Sequence, residues 1–326
     1  MNSSSARRFG PVLPASTATM PAPRLSFWVL VALAATACST RISPPPLEPA
    51  PTASPPLRLE FRPPTDVALI ETVKSSLRRD AAPGAQEVEL TTDTRFTSER
   101  GGWLLTQRVT QASTTQDGAP VETPVDDILL RLTMQVRLAS DGTFVDLLNP
   151  EAVEAALHEV VPEGATGVEA LERFFHPEAV EVRARREWEQ KYGGLYGWGL
   201  SEGQKTWTVS TVMVEARVLT YLLERTFTGT LLTEHGEAVT FALRCVGAPP
   251  DGSADARPVR AVLEAAGNPE LSPGVQCEGE QVLGRGRFLP VRRSLTVRAP
   301  VQDGEWTWTV QSVLQSLQPL EGEKTP

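Results

Sequence analysis

Eight segments of alternating apolar and polar residues restrict the fold of this chain more than any other feature. They are residues 87–96, 103–112, 128–138, 206–214, 219–232, 238–246, 288–297 and 305–314. A period of two places successive side chains on opposite faces of a strand, so each segment predicts a strand with one buried and one solvated face. Short polar turns such as Asp141-Gly142 separate the segments. The pattern therefore predicts a meandering antiparallel sheet.

Helical periodicity is confined to five segments. They are residues 65–79, 150–161, 168–175, 177–192 and 257–267. Asn149 and Pro150 predict the N-cap and first residue of the second helix, and Gly193-Gly194 predicts the end of the fourth. Helices placed between runs of strands predict an α+β fold, in which helices cover the concave face of one curved, mainly antiparallel sheet.

The amino-terminal region has the pattern of an export signal. Residues 25–37 form a thirteen-residue apolar run that follows Arg24. The run is shorter than the roughly 20 residues of a membrane-spanning helix, and it ends on small residues, as a signal peptide does. Met20 is an alternative start that leaves a complete signal. The run stops at Cys38, the first of three cysteines.

The residues "AATAC" with Leu33 upstream resemble the lipobox of bacterial lipoproteins. This resemblance implies that Cys38 is acylated and becomes the mature amino terminus, which anchors the chain in a membrane. In the enterobacterial scheme, Ser39 after the cysteine implies the outer membrane, with the domain facing the periplasm; the inner membrane is the alternative. The alternative is a plain secretory signal in which Cys38 is incidental.

The segments after the signal predict the domain organisation. Residues 38–56 contain the anchor cysteine and a proline-rich linker that cannot form a core. Residues 57–318 are expected to form a single α+β domain with a helical insert at 150–193, and residues 319–326 a disordered tail. Without the three arginines before Cys38, 28 Lys and Arg face 40 Asp and Glu, a net charge of −12. No basic cluster is present, which argues against nucleic acid as a partner.

Cys245 and Cys277 are the two thiols left after export. An even pair in an oxidising compartment predicts a disulfide. A two-cysteine metal site is the alternative, but the three histidines are dispersed at positions 158, 176 and 235. No metal site and no cofactor are expected.

The order of helices and strands resembles the half-barrel of periplasmic lipoprotein carriers (the LolA/LolB-like architecture). Residues 141–197 also look like a motif of uncharacterised bacterial lipoproteins. These resemblances imply a non-enzymatic envelope protein that binds a lipid, another apolar ligand or an envelope protein. The helical insert would cover an apolar cavity between sheet and helices, lined by Leu157, Leu171, Phe174 and Trp188. The alternative is a fully packed core with no cavity.

A serine hydrolase is the alternative function. Residues 199–203, "GLSEG", match the G-x-S-x-G nucleophile motif, with Ser201 as the nucleophile. That motif requires a strand before the serine and a helix after it. Here a helix and a glycine-rich loop precede Ser201 and a strand follows, so we predict a polar turn and no catalytic residue.

Overall fold

The computed structural model describes residues 57–80, 84–161, 168–197, 199–214, 217–301 and 304–320. The strands are β1 (Leu57–Arg58), β2 (Val67–Arg79), β3 (Ala85–Glu99), β4 (Gly102–Gln116), β5 (Ala119–Val121), β6 (Thr133–Ala139), β7 (Phe144–Leu147), β8 (Gly199–Leu200), β9 (Lys205–Val214), β10 (Arg217–Thr233), β11 (Gly236–Val246), β12 (Gln276–Gly284), β13 (Pro290–Val301) and β14 (Gly304–Pro319). The helices are α1 (Pro124–Arg131), α2 (Glu151–Val160), α3 (Val168–Phe175), α4 (Pro177–Tyr192) and α5 (Ala256–Ala265).

Twelve strands form one open, curved antiparallel sheet. Eleven of the strands follow the order β7-β6-β4-β3-β2-β14-β13-β12-β11-β10-β9. The short strand β5 lies off this order and pairs with β4. Neighbours in this order are mostly neighbours in sequence, as the alternation of short turns and long strands predicts. The exception is the pairing of β2 with β14, which extends over thirteen residue pairs from Trp306–Arg79 to Pro319–Val67. The first and last long strands of the domain therefore meet in the middle of the sheet.

Helices α1 to α4 cover the concave face of the sheet, as predicted for α2, α3 and α4; helix α1 was not predicted. The segment that contains α2, α3 and α4 connects edge strand β7 to β8 and then to the opposite edge strand β9. Because it joins the two edges, this connection crosses the concave side. Helix α5 differs. Its Val259 and Val262 pack on Val209 and Leu222, and Leu222 points away from the face on which its neighbour Tyr221 contacts α4.

Buried apolar side chains form one large cluster and two smaller ones. The large cluster joins α1 to α4 to β8 and to strands of both halves of the sheet: β2, β3, β4, β6, β7, β10, β11, β12 and β14. Within it, Phe96, Leu138 and Leu195 are at most 1% exposed. A second cluster comes from strands β2, β9, β10, β11, β13 and β14 and contains Trp306 and Trp308. No helix in the described part of the chain contributes to the second cluster.

Residues 65–79 were predicted to be helical, and this prediction is wrong. Val67–Arg79 forms β2, hydrogen-bonded to β3 on one side and to β14 on the other. Leu69, Glu71 and Leu77 are its buried inward residues, a period of two. The segment is rich in β-branched residues, and two neighbouring strands satisfy its backbone, so tertiary pairing overrides the weak helical pattern.

The predicted strand at 128–138 is correct only in its second half. Pro124–Arg131 forms α1, and the strand begins at Thr133. Thr123 caps the helix by accepting a hydrogen bond from the Asp126 backbone N–H at 3.1 Å, and Pro124 occupies the first turn. These start signals precede the alternating run, and a helix uses Ile128 and Leu129 as its buried residues.

The other predicted helices and strands are present, with small shifts at their ends. Asn149 is not the N-cap of α2. Pro150 occupies that position, while the Asn149 side chain accepts from the Gln135 N–H at 2.8 Å and donates to the Thr133 carbonyl at 2.7 Å. Asn149 therefore fastens the β7–α2 connection to the start of β6.

Candidate functional site

Helix α4 is the element that organises the concave side. Its sequence places Val180, Ala184 and Trp188 at intervals of four residues, so they share one face. Val180 is buried and Trp188 is partly buried. This face of α4 is directed at the sheet, and the charged residues of the helix lie around it.

The carboxyl end of α4 is capped by side chains from the sheet. Arg225 on β10, 1% exposed, donates to the carbonyls of Glu189, Gln190 and Gly193. Gln281 on β12 donates to the Lys191 carbonyl at 2.7 Å. The last carbonyls of a helix have no partner within the helix, and a cation is favoured at that end. Arg225 and Gln281 therefore fix α4 to the C-terminal half of the sheet.

The middle of α4 is bonded to the other half of the sheet. Arg185 donates to the carbonyls of Phe144 and Val145 in β7 at 3.2 and 2.7 Å. The Trp188 indole N–H donates to the Gly142 carbonyl at 2.7 Å. Gly142 has a φ of +81°, and a Cβ there would lie 2.6 Å from the Phe61 ring, so only glycine fits this turn. Helix α4 is thus attached to both halves of the curved sheet.

Aromatic rings fill the space beside α4. The Phe61 ring lies 5.2 Å from that of Tyr196 and 5.0 Å from that of Phe288, measured between centroids. The Phe288 ring is stacked on Trp188 at 5.7 Å and lies edge-on to Tyr192 at 4.9 Å. Such offset and edge-to-face pairs stabilise a core beyond their buried area.

A cleft remains between this aromatic cluster, strands β2, β3, β4 and β6, and helix α4. We call it the α4 cleft; its volume is about 70 Å³, enough for a few water-sized groups. Its apolar lining residues are Leu69, Phe96, Leu105, Met134, Val136, Phe144, Ala184, Trp188, Tyr192, Phe288 and Pro290. Its polar lining residues are Glu71, Thr94, Gln107, Glu187 and Lys191.

Glu71 is the unusual polar residue of the α4 cleft. It is 7% exposed, and its Oε1 atom is buried without a hydrogen-bond donor in the described part of the chain. A buried carboxylate oxygen without a donor is costly. Glu71 therefore marks a position where a donor from a ligand or from water would be stabilising.

Glu187 and Lys191 form an ion pair on the same cleft. Their Oε1 and Nζ atoms are 2.7 Å apart, one helical turn from each other. The Lys191 charge lowers the pKa of Glu187. Burial lowers the pKa of Lys191, but the negative charges of Glu187 and Glu71 raise it by more. The pKa of Lys191 is therefore raised overall. Both side chains therefore carry full charge at neutral pH.

Arg293 is an inward residue of β13, opposite Ser312 of β14. It is 7% exposed, and its Nε and Nη2 atoms have no hydrogen-bond acceptor among the described residues. Burial lowers its pKa, and the nearby Tyr221, Tyr192, Glu187 and Glu71 oppose that effect. A second buried cation therefore stands within electrostatic range of three residues that line the cleft.

A second depression lies beside the disulfide. Its volume is about 490 Å³, and it is lined by Tyr221, Cys245, Leu263, Leu271 and neighbouring residues of the 246–275 segment. The Tyr221 hydroxyl accepts from Gln190, and the Ser272 hydroxyl accepts from the Thr220 N–H. Since these polar groups already have partners, the α4 cleft is the stronger candidate for ligand binding.

The four residues predicted to line an apolar cavity are not brought together at the α4 cleft. Trp188 lines it. Leu157 and Leu171 are 4% and 3% exposed and belong to the packed core. Phe174 is partly buried, with the Arg183 guanidinium 3.9 Å from its ring centroid.

The disulfide prediction is confirmed. Cys245 and Cys277 are bonded, with 4.8 Å between their Cα atoms. They face each other one position beyond the last registered pair of β11 and β12, Arg244–Glu278. The bond thus closes the 246–276 segment, which carries α5, at the end of that strand pair.

Other predicted positions can be located only in part. Cys38 lies outside the described residues. Ser201 is exposed in the turn between β8 and β9, where its backbone N–H donates to the Gln204 side chain at 2.9 Å. Among the described residues, no cluster of His, Cys, Asp or Glu could hold a metal ion, and no helix has both the length and the apolar character needed to cross a bilayer.

Four functional candidates were missed by sequence reasoning: Glu71, Lys191, Arg225 and Arg293. Glu71 was missed because its segment was predicted to be helical. Arg225 and Arg293 lie on correctly predicted strands, "LTYLLERTFTGTLL" and "FLPVRRSLTV". Strict alternation places Arg225 on the same inward face as Leu223, and Arg293 on the same inward face as Leu295. A charged residue at an inward position was the sequence signal that could have identified them.

Comparisons with known proteins give no family. No family model matches the chain, and no curated protein matches it. Among solved structures, lipovitellin ("lipid-protein interactions in lipovitellin") is similar over 82% of this chain, at 9% identity and with a TM-score of 0.42. The chain spans only 27% of the lipovitellin chain. A putative exported protein with YmcC-like fold from Bacteroides fragilis is similar over 80% of this chain and 99% of its own at 10% identity with a TM-score of 0.22. MucB in complex with MucA is similar over 77% of this chain and 93% of its own at 11% identity with a TM-score of 0.09.

Proposed function

We propose that this protein is a non-enzymatic, lipid-anchored protein of the cell envelope that binds a small amphipathic ligand in the α4 cleft. The observation that carries the proposal is Glu71. Its buried carboxylate lines a largely apolar cleft and has an oxygen without a donor in the described part of the chain. Ligand sites combine an apolar lining with a few such polar groups.

The position of α4 supports binding at this place. The helix is fixed by Arg225 and Gln281 at its end and by Arg185 and Trp188 in its middle. The helix that forms one wall of the cleft is therefore held in place by hydrogen bonds at its end and in its middle. A pre-formed site of this kind reduces the ordering cost of binding.

The anchor supports an envelope location. The apolar run before Cys38 and the resemblance to a lipobox imply acylation. A disulfide between Cys245 and Cys277 is compatible with an oxidising compartment. Partners are the membrane, through the lipid, and the ligand of the cleft.

Ligand binding is tested by filling the cleft. Ala184 lines it, so Ala184→Trp should occupy the space and weaken the binding of eight-carbon amphiphiles at least tenfold, measured by calorimetry. Ala179→Trp is the matched control, because Ala179 lies on the same helix beside Val182 at a separate surface depression. Equal affinity of both variants, or no binding to the unaltered protein, would refute the proposal.

The anchor is tested separately. Cys38→Ser should abolish incorporation of labelled palmitate in cells and leave unprocessed precursor. Cleavage and membrane retention unchanged in this variant would refute lipid anchoring while leaving ligand binding untouched.

A further inference from the structure

The polar end of the α4 cleft contains equal numbers of positive and negative groups. Glu71, Glu187 and Lys191 line it, and Arg293 lies within electrostatic range of both carboxylates. Two carboxylates and two cations leave no formal net charge. Glu187 and Lys191 also neutralise each other directly, at 2.7 Å.

Glu71 and Arg293 are the two members of this group without direct partners. Each is 7% exposed. Glu71 Oε1 has no donor, and Arg293 Nε and Nη2 have no acceptor, within the described residues. The site therefore offers an acceptor on the cleft wall, with a compensating cation on β13, two strands away from Glu71 on β2 and within electrostatic range of it.

A charged head group would disturb this balance. Its own dehydration is costly, and beside Glu71, which is 7% exposed, it would leave one charge uncompensated. An ammonium next to Glu71 would be repelled by the nearby cations Lys191 and Arg293. A carboxylate would be repelled by Glu71 and Glu187. A neutral donor gives Glu71 Oε1 its hydrogen bond without adding charge.

We infer that the α4 cleft selects amphiphiles with a neutral hydrogen-bond-donating head, such as a primary alcohol or a primary amide, over those with a charged head. The head donates to Glu71, and the first methylene groups lie against Phe96, Trp188 and Phe288. The small volume of the cleft, about 70 Å³, suits a hydroxyl or carboxamide. This inference rests on the proposed function, since it assigns the ligand class of the same cleft.

The test compares four ligands of equal chain length on the full protein at pH 7: 1-octanol, octanamide, octanoate and octylamine. Calorimetry should show that the alcohol and the amide bind at least tenfold more tightly than the carboxylate and the amine. A charged ligand that binds as tightly as the neutral ones would overturn the inference. Failure of all four to bind would instead overturn the proposed function and the inference together.

The variant Glu71→Gln tests the electrostatic cause. It keeps the size of the side chain but leaves Arg293 and Lys191 in excess over Glu187, so the affinity for octanoate relative to octanol should rise at least fivefold. Glu89→Gln is the control, because Glu89 pairs with Lys74 at 3.0 Å on an exposed part of the sheet; its ratio should equal that of the unaltered protein. If Glu71→Gln folds and its affinity for octanoate relative to octanol is unchanged, the inference is overturned. If the variant does not fold, the four-ligand comparison in the unaltered protein remains the test.

Discussion

Arg225 shows how much one inward-facing residue can contribute to this fold. Its guanidinium is buried, and it bonds to three carbonyls at the end of α4 and to the Thr208 hydroxyl at 3.0 Å. Burial, and secondarily the charge of Arg293, lowers its pKa to about 9. The residue remains a cation at neutral pH, and the negative end of the helix dipole favours it there.

Replacing Arg225 should therefore be severely destabilising. Arg225→Met retains most of the apolar stem but removes the guanidinium donor of the Gln190 and Gly193 carbonyls. The Glu189 carbonyl keeps only its bond from the Gly193 N–H at 2.8 Å. We expect the free energy of unfolding to fall by about 3–5 kcal/mol, measured by urea denaturation.

Arg292→Met is the control for this measurement. Arg292 is exposed on β13 and pairs with Glu280 at 3.1 Å, a surface ion pair that contributes only about 0–1 kcal/mol. Similar losses in the two variants would show that Arg225 does not hold α4.

At the scale of secondary structure elements, periodicity alone predicts most of the sheet, including the central strand β14, but neither β2 nor β12. The segments 87–96 and 305–314 are strands because their alternation is long and unambiguous. Val67–Arg79 has apolar residues that fit both periods, and its pairing with β3 on one side and with β14, more than 200 residues away, on the other decides between them. Such long-range pairing leaves no local signal.

The candidate site was even less predictable. Trp188 could be placed on the inner face of a helix from spacing. The proximity of Glu71, Lys191 and Arg293 depends on how β2, α4 and β13 pack. Their positions in the chain are far apart, and no sequence motif connects them.

Helix α1 gives a pH-dependent prediction. Asp126 is 8% exposed; burial raises its pKa, and hydrogen bonds from Thr114 and Thr123 oppose this. The folded protein then keeps the Asp126 proton to a higher pH than the unfolded chain does. The contribution of this group to stability falls as the pH rises from about 3.9, the unfolded pKa, to the folded pKa, and is constant above that.

Asp126→Asn should remove this pH-dependent loss of stability, because the amide does not titrate. Its amide oxygen can still accept the hydrogen bond from the Thr114 hydroxyl. The stability of the variant relative to the unaltered protein is expected to increase with pH through that window and then level off, measured by urea unfolding between about pH 3 and about pH 7. Asp127→Asn, in the same turn but exposed, controls for the loss of charge. A difference in stability that does not vary with pH would contradict the prediction.

At the scale of the whole molecule, the pairing of β2 with β14 joins the two halves of the sheet. Strands β3, β4, β6 and β7 extend from β2, and β13 to β9 extend from β14. If this pairing is lost, two central strands become unpaired edges. The domain should therefore unfold as one unit, despite its separate apolar clusters.

Gln311→Pro tests this dependence. Gln311 is exposed and central in β14, between Ser294 of β13 and Lys74 of β2. Proline removes a backbone donor and distorts the strand, and we expect a loss of about 3 kcal/mol or more. Limited proteolysis should show that both halves of the sheet lose protection together, whereas Gln311→Ala should remain resistant. Selective cleavage of one half would contradict the single cooperative unit.

The attachment of α4 to both halves of the sheet has a mechanical consequence. An open sheet has free edges, so its backbone hydrogen bonds alone do not prevent it from flattening. Here a rigid helix is bonded to the β6–β7 turn and β7 through Trp188 and Arg185, and to β10 and β12 through Arg225 and Gln281. Flattening would pull one of these attachments apart. Helix α4 thus limits how far the sheet can flatten, and a change in the bend of the sheet would change the width of the cleft.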